Sequence, residues 1–334
     1  MSLLFSPVKV KHLTLSGRLV MPPMASDKAE KNGSVTDALC RYYDEKTAGG
    51  YIGLVITEHS YVSPEGKLST GQLSAADDSC IEGLKRLSDV IHKNGSKALA
   101  QINHAGGVAS PEITGYLVLS AGSIKIKNRS NPDTPLQIMT KKDIDKVISD
   151  FASAALRVKE AGFDGVEIHS AHGYLLNQFY SPLVNDRTDA YTGSTLEGRI
   201  KLHLEIIKTV RDRIGNDFLL ALRLGACDYA EGGTTIEDSV KACRRFEEAG
   251  VDLLDISGGL LRYVNPYTKE EGWFKDITVA VKREVSVPVI LTGGITTPET
   301  AERLLQTGAA DCIGVGRALL KNSLWAKEAK AVLK

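Results

Sequence analysis

The chain has 334 residues, and its 41 Lys plus Arg balance its 41 Asp plus Glu, so the formal net charge is zero. This balance gives no electrostatic support for a nucleic-acid or anionic-membrane partner. There is no signal-like N-terminus and no run of 18 apolar residues. The five scattered cysteines form no CxxC pair and fit reduced thiols. We therefore expect a cytoplasmic protein that acts on a small molecule.

Short apolar segments that alternate with helical patterns predict eight strands. They are residues 19–22, 53–57, 98–102, 165–169, 219–224, 253–257, 288–292 and 312–315. A glycine joint recurs between helix and strand, at Gly162 and Gly250, where a left-handed residue ends a helix. The clearest helix follows Thr140, with Asp143 as a capping-box variant.

Eight alternating units predict an α/β fold, a single (β/α)₈ TIM barrel over residues 1–334, with its site at the C-terminal strand ends. A doubly wound sheet fits less well, because no GxGxxG follows the first strand. The segment 105–139 is an extended loop after the third strand, either a lid or a tolerated insertion. We expect a hairpin within it, formed by residues 116–123 and 123–127.

Two imidazoles and a phenol follow the fourth predicted strand, as His169, His172 and Tyr174. Each alone would be an ordinary core residue, but three together at a buried strand end indicate ligand chemistry. Arg223 shares a strand face with the small Ala221, toward the barrel interior. A buried arginine needs an anionic or carbonyl-rich partner, and a neighbouring carboxylate would serve equally well.

Glycines follow the last two predicted strands, where barrels commonly bind phosphate. Gly293 and Gly294 end one strand, and Gly316 precedes Arg317 after the next. Backbone N–H groups and a bidentate guanidinium at this place predict a phosphorylated ligand. Residue spacing alone does not identify that ligand.

Seven segments of the chain are similar to the Old Yellow Enzyme family of FMN-dependent ene reductases. They are VMPPM (20–24), QINHAG (101–106), GVEIHSAHGYL (165–175), SPLVNDRTDAYTGSTLEGR (181–199), ALRLG (221–225), LTGGI (291–295) and GVGRALL (314–320). The fourth and fifth are highly specific, whereas GVGR alone would not be. The resemblance covers nearly the whole chain.

The resemblance implies FMN at the barrel mouth, reloaded by NADH or NADPH. The implied cofactor contacts are Gly293, Gly294, Gly316 and Arg317 at the phosphate, Arg223 and Gln101 at the pyrimidine end, the backbone at Pro23, Met24 and Ala25, and also His59, Ser257 and Gly258. His169 and His172 would hydrogen-bond a carbonyl or nitro oxygen of an activated alkene. Hydride from flavin and a proton from Tyr174 would then complete the reduction.

Some positions depart from the family pattern. Ala25 stands where many members carry Thr or Cys, so we expect a lower flavin potential. Asp27 and His59 also differ, and we expect both side chains to point away from the pocket. If they face it, the substrate is unusual for the family. Gly107 replaces an arginine, which removes one cation near the extended loop.

Ala25 resembles the dienoyl-CoA reductase and trimethylamine dehydrogenase branch, and this leaves alternatives open. One is a flavin dehydrogenase or demethylase of amines or aromatic ethers. Another is a flavin electron-transfer subunit, and a separate protein could then reduce the flavin. A flavin-free aldolase would need a lysine at a strand end, and none of the predicted ends has one. The physiological substrate, the choice between NADH and NADPH, and assembly into a homo-oligomer stay open.

Overall fold

The computed structural model describes residues 2–334. The chain opens with an antiparallel hairpin, β1 (Val8–Val10) and β2 (Leu13–Leu15). Two further short strands, β6 (Val118–Ser120) and β7 (Leu136–Ile138), lie in the extended loop. Eight parallel strands close into a barrel: β3 (Leu19–Met21), β4 (Leu54–Tyr61), β5 (Lys97–Asn103), β8 (Gly165–Ser170), β9 (Leu219–Gly225), β10 (Leu253–Ser257), β11 (Val289–Thr292) and β12 (Cys312–Gly314). The predicted (β/α)₈ barrel and its eight strands are confirmed.

Helices surround the barrel and alternate with its strands. They are α1 (Asp37–Thr47), α2 (Ile81–Lys93), α3 (Pro111–Thr114), α4 (Lys141–Glu160), α5 (Leu175–Tyr180), α6 (Leu196–Ile214), α7 (Ile236–Glu248), α8 (Lys275–Lys282), α9 (Pro298–Gln306), α10 (Arg317–Lys321) and α11 (Trp325–Val332). Thr140 and Asp143 form the predicted capping box of α4. Gly162 and Gly250 take left-handed conformations, as the recurring joint predicted. Within residues 2–334, no helix has the length and apolar character needed to cross a membrane.

Side chains alternate between two cores along the barrel strands. On β9, Leu220, Leu222 and Leu224 pack against the helices, whereas Ala221 lies in the inner cluster with residues of the β1–β2 hairpin. The hairpin therefore closes the N-terminal end of the barrel. Arg223 follows Ala221 on the inner face, two residues nearer the C-terminal end. This alternation places the polar inner residues at the C-terminal end.

The hairpin predicted at residues 116–123 and 123–127 is wrong. Strand β6 instead pairs in parallel with β7, in register from Val118 opposite Leu136. Parallel pairing requires a crossover, and residues 121–135 supply it. Within that crossover Ile126 is buried, and Ser130 Oγ donates to the carbonyl of Gly107 at 2.8 Å. These tertiary contacts outweigh any local turn preference.

Candidate active site

A cavity of about 390 Å³ opens at the C-terminal ends of the barrel strands. Its size lies in the usual range for small-ligand sites, about 300–1,000 Å³. Its walls include the predicted residues Pro23, Met24, Ala25, His59, Gln101, His169, His172, Tyr174, Arg223, Gly293, Gly294, Gly316 and Arg317. Ser257 and Gly258 do not line it: Ser257 contacts His172, and Gly258 lies against the backbone of Arg262.

The turn after β8 brings three rings together. His172 and Gly173 both have left-handed backbones, with φ of 61° and 73°. A left-handed histidine costs about 1–3 kcal/mol, so the surrounding structure must hold it there. The turn places the His169 ring 5.2 Å from the His172 ring and 5.0 Å from the Tyr174 ring, measured between centroids. The chain therefore builds a wall of two imidazoles and a phenol on one side of the cavity.

Both imidazoles are neutral at physiological pH. Burial lowers the pKa of His169 well below its usual value, and the neighbouring His172 and Arg223 add to this effect. Burial likewise lowers the pKa of His172, followed by the charges of Arg223 and Arg129. Because no positive charge is carried on either ring, each has one N–H donor and one acceptor nitrogen.

Ser257 on β10 holds the ring of His172. Its Oγ lies 2.7 Å from His172 Nε2, so one of the two atoms donates to the other. His172 has only Nδ1 left for another partner. If that nitrogen donates to a ligand, Nε2 must be the acceptor, and Ser257 must donate its hydroxyl proton. Ser257 then selects the tautomer of His172 without touching the cavity.

Buried charges lie below the cavity, inside the barrel. Arg223 Nε is 3.3 Å from Asp255 Oδ2, and Asp255 is opposite Arg223 in the β9–β10 register. Glu167 Oε1 accepts from Gln101 Nε2 at 2.7 Å, and its other oxygen has no hydrogen-bond partner among residues 2–334. Burial and then Asp255 raise the pKa of Glu167 well above its usual value. Both partners expected for Arg223 from the sequence are therefore available, because it pairs with a carboxylate and also lines the cavity.

The other end of the cavity is lined by glycine backbone and one cation. Gly294 has a left-handed φ of 66°, and a Cβ there would lie 2.5 Å from the ring of Trp273. The Trp273 ring also lies 4.9 Å from the Arg317 guanidinium. The Trp273 Nε1 atom is buried without a hydrogen-bond partner among residues 2–334. Backbone, guanidinium and indole N–H together form a donor-rich end that suits an anion.

These residues fit FMN as the sequence resemblance implied. The cavity has a donor-rich end at Gly293, Gly294 and Arg317 that suits an anion, and a polar end at Gln101 and Arg223. Arg223 Nε makes no well-directed hydrogen bond within residues 2–334, so it has a donor to offer a ligand. An elongated molecule with a phosphate at one end and a polar ring at the other matches this arrangement.

His59 faces the cavity, so the expectation that its side chain points away is wrong. Its ring lies 5.4 Å from that of Tyr174, and Gln72 Nε2 is 2.6 Å from its Nδ1. Burial lowers the pKa of His59 to about 4. The register of β4 shifts between Thr57 and Ser60, and such a slip reverses which face a side chain takes. Asp27, in contrast, is outside the cavity and accepts a hydrogen bond from Ser69.

Sequence reasoning missed several residues of the site, among them four in long loops. Tyr263 and Trp273 line the main cavity, whereas Arg129 and Arg262 line a second cavity beside it. All four lie in the long loops after β5 and β10, which have no periodic pattern. Only the length and irregularity of these loops indicated that they contribute to specificity.

The chain matches the model of the NADH:flavin oxidoreductase / NADH oxidase family over residues 3–334. It is 38% identical over 333 residues to an NADH oxidase of Thermoanaerobacter brockii, covering 98% of this chain and 50% of that protein. It is also 38% identical over 327 residues to an NADPH dehydrogenase of Halalkalibacterium halodurans, covering 98% and 93%. The chain thus spans about half the length of some relatives and nearly all of others.

Solved structures share the fold. A 2-naphthoyl-CoA reductase bound to 2-naphthoyl-CoA superimposes with a TM-score of 0.91 at 26% identity, covering 99% of this chain and 52% of that one. An Old Yellow Enzyme homologue from Zymomonas mobilis has a TM-score of 0.86 at 23% identity, covering 98% and 92%. The predicted resemblance to Old Yellow Enzyme is confirmed. The chain therefore belongs to the NADH:flavin oxidoreductase / NADH oxidase family, whose cofactor is FMN and whose reductant is NADH or NADPH.

Proposed function

We propose that this chain is an FMN-dependent NAD(P)H oxidoreductase that reduces activated alkenes, namely α,β-unsaturated carbonyl or nitro compounds. One observation carries the proposal: His169, His172 and Tyr174 form a single wall of the cavity, with ring centroids 5.0 to 5.2 Å from that of His169. A carrier of electrons alone would need no such set of proton-bearing groups. The names of the relatives, NADH oxidase and NADPH dehydrogenase, support nicotinamide as the reductant.

The two imidazoles would bind the substrate oxygen. A neutral imidazole can donate one hydrogen bond, and two donors at one oxygen withdraw electron density from the conjugated β-carbon. Ser257 supports this role for His172, because it leaves Nδ1 as the free nitrogen of the ring. The Nδ1 of His169 is buried and has no hydrogen-bond partner among residues 2–334. Either ring could therefore accept a new partner without breaking an existing bond at Nδ1.

Tyr174 would supply the proton. Bound FMN would supply a hydride to the β-carbon, after receiving one from NADH or NADPH. Tyr174 would then protonate the α-carbon through its phenolic O–H. The guanidinium of Arg223 would stabilise negative charge on the ring system of the reduced cofactor. Gln101, Arg223 and the glycines of the last two strand ends would hold the cofactor.

A second candidate is a flavin dehydrogenase of amines or aromatic ethers, with electrons passed to or from a separate protein. The observation that favours it is Ala25, which lines the cavity where many family members have a hydrogen-bonding side chain. Partial coverage of the longer relatives is compatible with this candidate, because additional parts of those proteins could exchange electrons with the flavin.

Anaerobic stopped-flow spectroscopy separates the candidates. The flavin absorbance of the FMN-loaded protein is followed after mixing with NADH or NADPH, and again after mixing the reduced protein with cyclohexenone. The proposal expects reduction by at least one nicotinamide and reoxidation by the enone. Flavin that neither nicotinamide reduces would favour the dehydrogenase. Reduced flavin that the enone does not reoxidise would refute the alkene reductase.

A further inference from the structure

A second cavity of about 330 Å³ adjoins the first. The two share His172, Tyr174 and Tyr263, so they meet at the wall proposed to carry proton transfer. The second cavity also contains two guanidinium groups, those of Arg129 and Arg262. Among the residues that the structure describes, no carboxylate lines either cavity. The region beside the proposed proton donor is therefore cationic.

The extended loop after β5 holds Arg129 in place. The backbone N–H groups of Arg129 and Ser130 both donate to the carbonyl of Ile126, at 3.1 and 3.0 Å. Ser130 Oγ ties this turn to the carbonyl of Gly107. The Arg129 guanidinium lies 4.9 Å from the centroid of the Tyr174 ring. The loop thus brings a cation near Gly107, the position where the sequence had lost one.

The absence of a side chain at Gly173 favours this arrangement. A Cβ on Gly173 would lie 3.1 Å from Arg129 Nη1 and 3.0 Å from Ile126 Cδ1. Gly173 also has a left-handed φ of 73°. The conformation that builds the His172 turn therefore also admits the guanidinium beside Tyr174.

Within residues 2–334, Arg129 has no anionic partner. Its Nη1 is buried and makes no hydrogen bond within residues 2–334. Neither Arg129 nor Arg262 forms an ion pair in that part of the chain. Burial lowers the pKa of Arg129, the neighbouring Tyr174 opposes this shift, and the like charge of Arg262 adds to it. Arg129 as a whole is half-buried, and its buried Nη1 would gain a charge-assisted hydrogen bond from an anionic ligand.

The two other guanidinium groups of the site have roles assigned above. Arg223 has Asp255, and Arg317 lies at the glycine-lined end where the phosphate of FMN would bind. Two guanidinium groups are left over, at the opposite side of the His172–Tyr174 wall. Arginine recognises carboxylate and phosphate groups with paired, charge-assisted hydrogen bonds.

We propose that Arg129 and Arg262 form a subsite for an anionic group of the alkene substrate, a carboxylate or a phosphate ester remote from the carbonyl that binds His169 and His172. That the opposite end of this substrate is a reacting carbonyl rests on the proposed function, but the anion subsite does not. Hydrogen bonds to charged groups contribute about 1.5–3 kcal/mol each. We therefore expect an anionic ligand to bind about tenfold to a hundredfold more tightly than its neutral analogue.

The binding experiment uses ligands that cannot be reduced as alkenes. 4-Formylbenzoate and its methyl ester are titrated into oxidised, FMN-loaded protein by isothermal calorimetry at low ionic strength. The wild type should prefer the carboxylate by about tenfold or more, and Arg129→Met should bring the ratio of the two affinities close to one. Arg262→Gln should reduce the ratio while altering only an exposed side chain.

Lys127→Met is the matched control. Lys127 is an exposed cation of the same loop, and it does not line the second cavity. This variant should keep the wild-type ratio. An equal affinity for both ligands in the wild type would overturn the subsite. So would a preference that persists in the Arg129→Met, Arg262→Gln double variant.

A turnover experiment distinguishes the substrate from the reductant as the source of the anion. Arg129→Met should lower kcat/KM for 4-carboxycinnamaldehyde relative to kcat/KM for its methyl ester. The fold-change in this ratio should exceed the fold-change in the rate of flavin reduction by NADH or NADPH. If only the reaction with the nicotinamide is weakened, the cavity binds the reductant's phosphates and the inference is wrong. If neither aldehyde is reduced while the calorimetric preference is intact, the proposed function fails and the anion subsite stands.

Discussion

Two carboxyl groups and one guanidinium are buried together inside the barrel. This arrangement predicts which of the two carboxyl groups is protonated. Glu167 and Asp255 are both fully buried, and the charge of Arg223 acts on the pKa of both, lowering each. Burial raises the pKa of both acids, but Arg223 opposes the shift most directly at Asp255, only 3.3 Å away. We therefore expect Asp255 to carry the charge and Glu167 to stay protonated at pH 7.

Replacement of Glu167 by Gln tests this expectation. A carboxyl group whose folded pKa is raised binds more protons in the folded state than in the unfolded state. Its contribution to stability is fully present below the unfolded pKa, near 4.5, and is lost as pH rises toward the folded pKa. The slope is about 1.4 kcal/mol per pH unit. The wild type should therefore lose about 2.5 kcal/mol relative to Glu167→Gln between pH 5 and pH 7.

The amide should otherwise fit the site. Glutamine has the shape of a protonated glutamate, and its carbonyl can still accept the hydrogen bond from Gln101. The free energy of unfolding is measured with urea at several pH values, with both proteins saturated with FMN and unfolding followed by circular dichroism. Glu231→Gln, at an exposed position, is the control and should show no such change relative to the wild type. If the difference in free energy of unfolding between Glu167→Gln and the wild type stays constant with pH, Glu167 is ionised and our reasoning is wrong.

Three further substitutions test the site. Tyr174→Phe should slow flavin reoxidation by cyclohexenone about 10²- to 10⁴-fold and slow reduction by NADPH far less; equal slowing in stopped flow would contradict its role as proton donor. Ala25→Thr should raise the flavin potential by about 30–60 mV, and an unchanged potential in spectroelectrochemistry would contradict this. Gly294→Ala should weaken FMN binding, measured by flavin fluorescence, at least about tenfold, because its Cβ would meet Trp273. Gly308→Ala, equally left-handed but with open space around it, should not.

The sequence by itself determined the barrel and the end of it that carries the site. Strand alternation and the left-handed glycine joints, such as Gly162 and Gly250, are local properties, and local properties can be read without coordinates. The rules of α/β barrels then place the strand ends together. His169, His172 and Tyr174 could be grouped because they lie within six positions of one another.

Only the tertiary structure decided which distant groups meet. Ser257 reaches His172 from 85 positions along the chain, and Asp255 meets Arg223 through the register of two strands. Arg129 lies over Tyr174 because Ser130 ties its turn to the backbone of Gly107, in another part of a loop without periodicity. The direction of His59 depended on a register shift in β4, which a strict alternation rule cannot anticipate. In each case the outcome depends on packing between segments far apart in sequence, where residue pattern carries no information about distance.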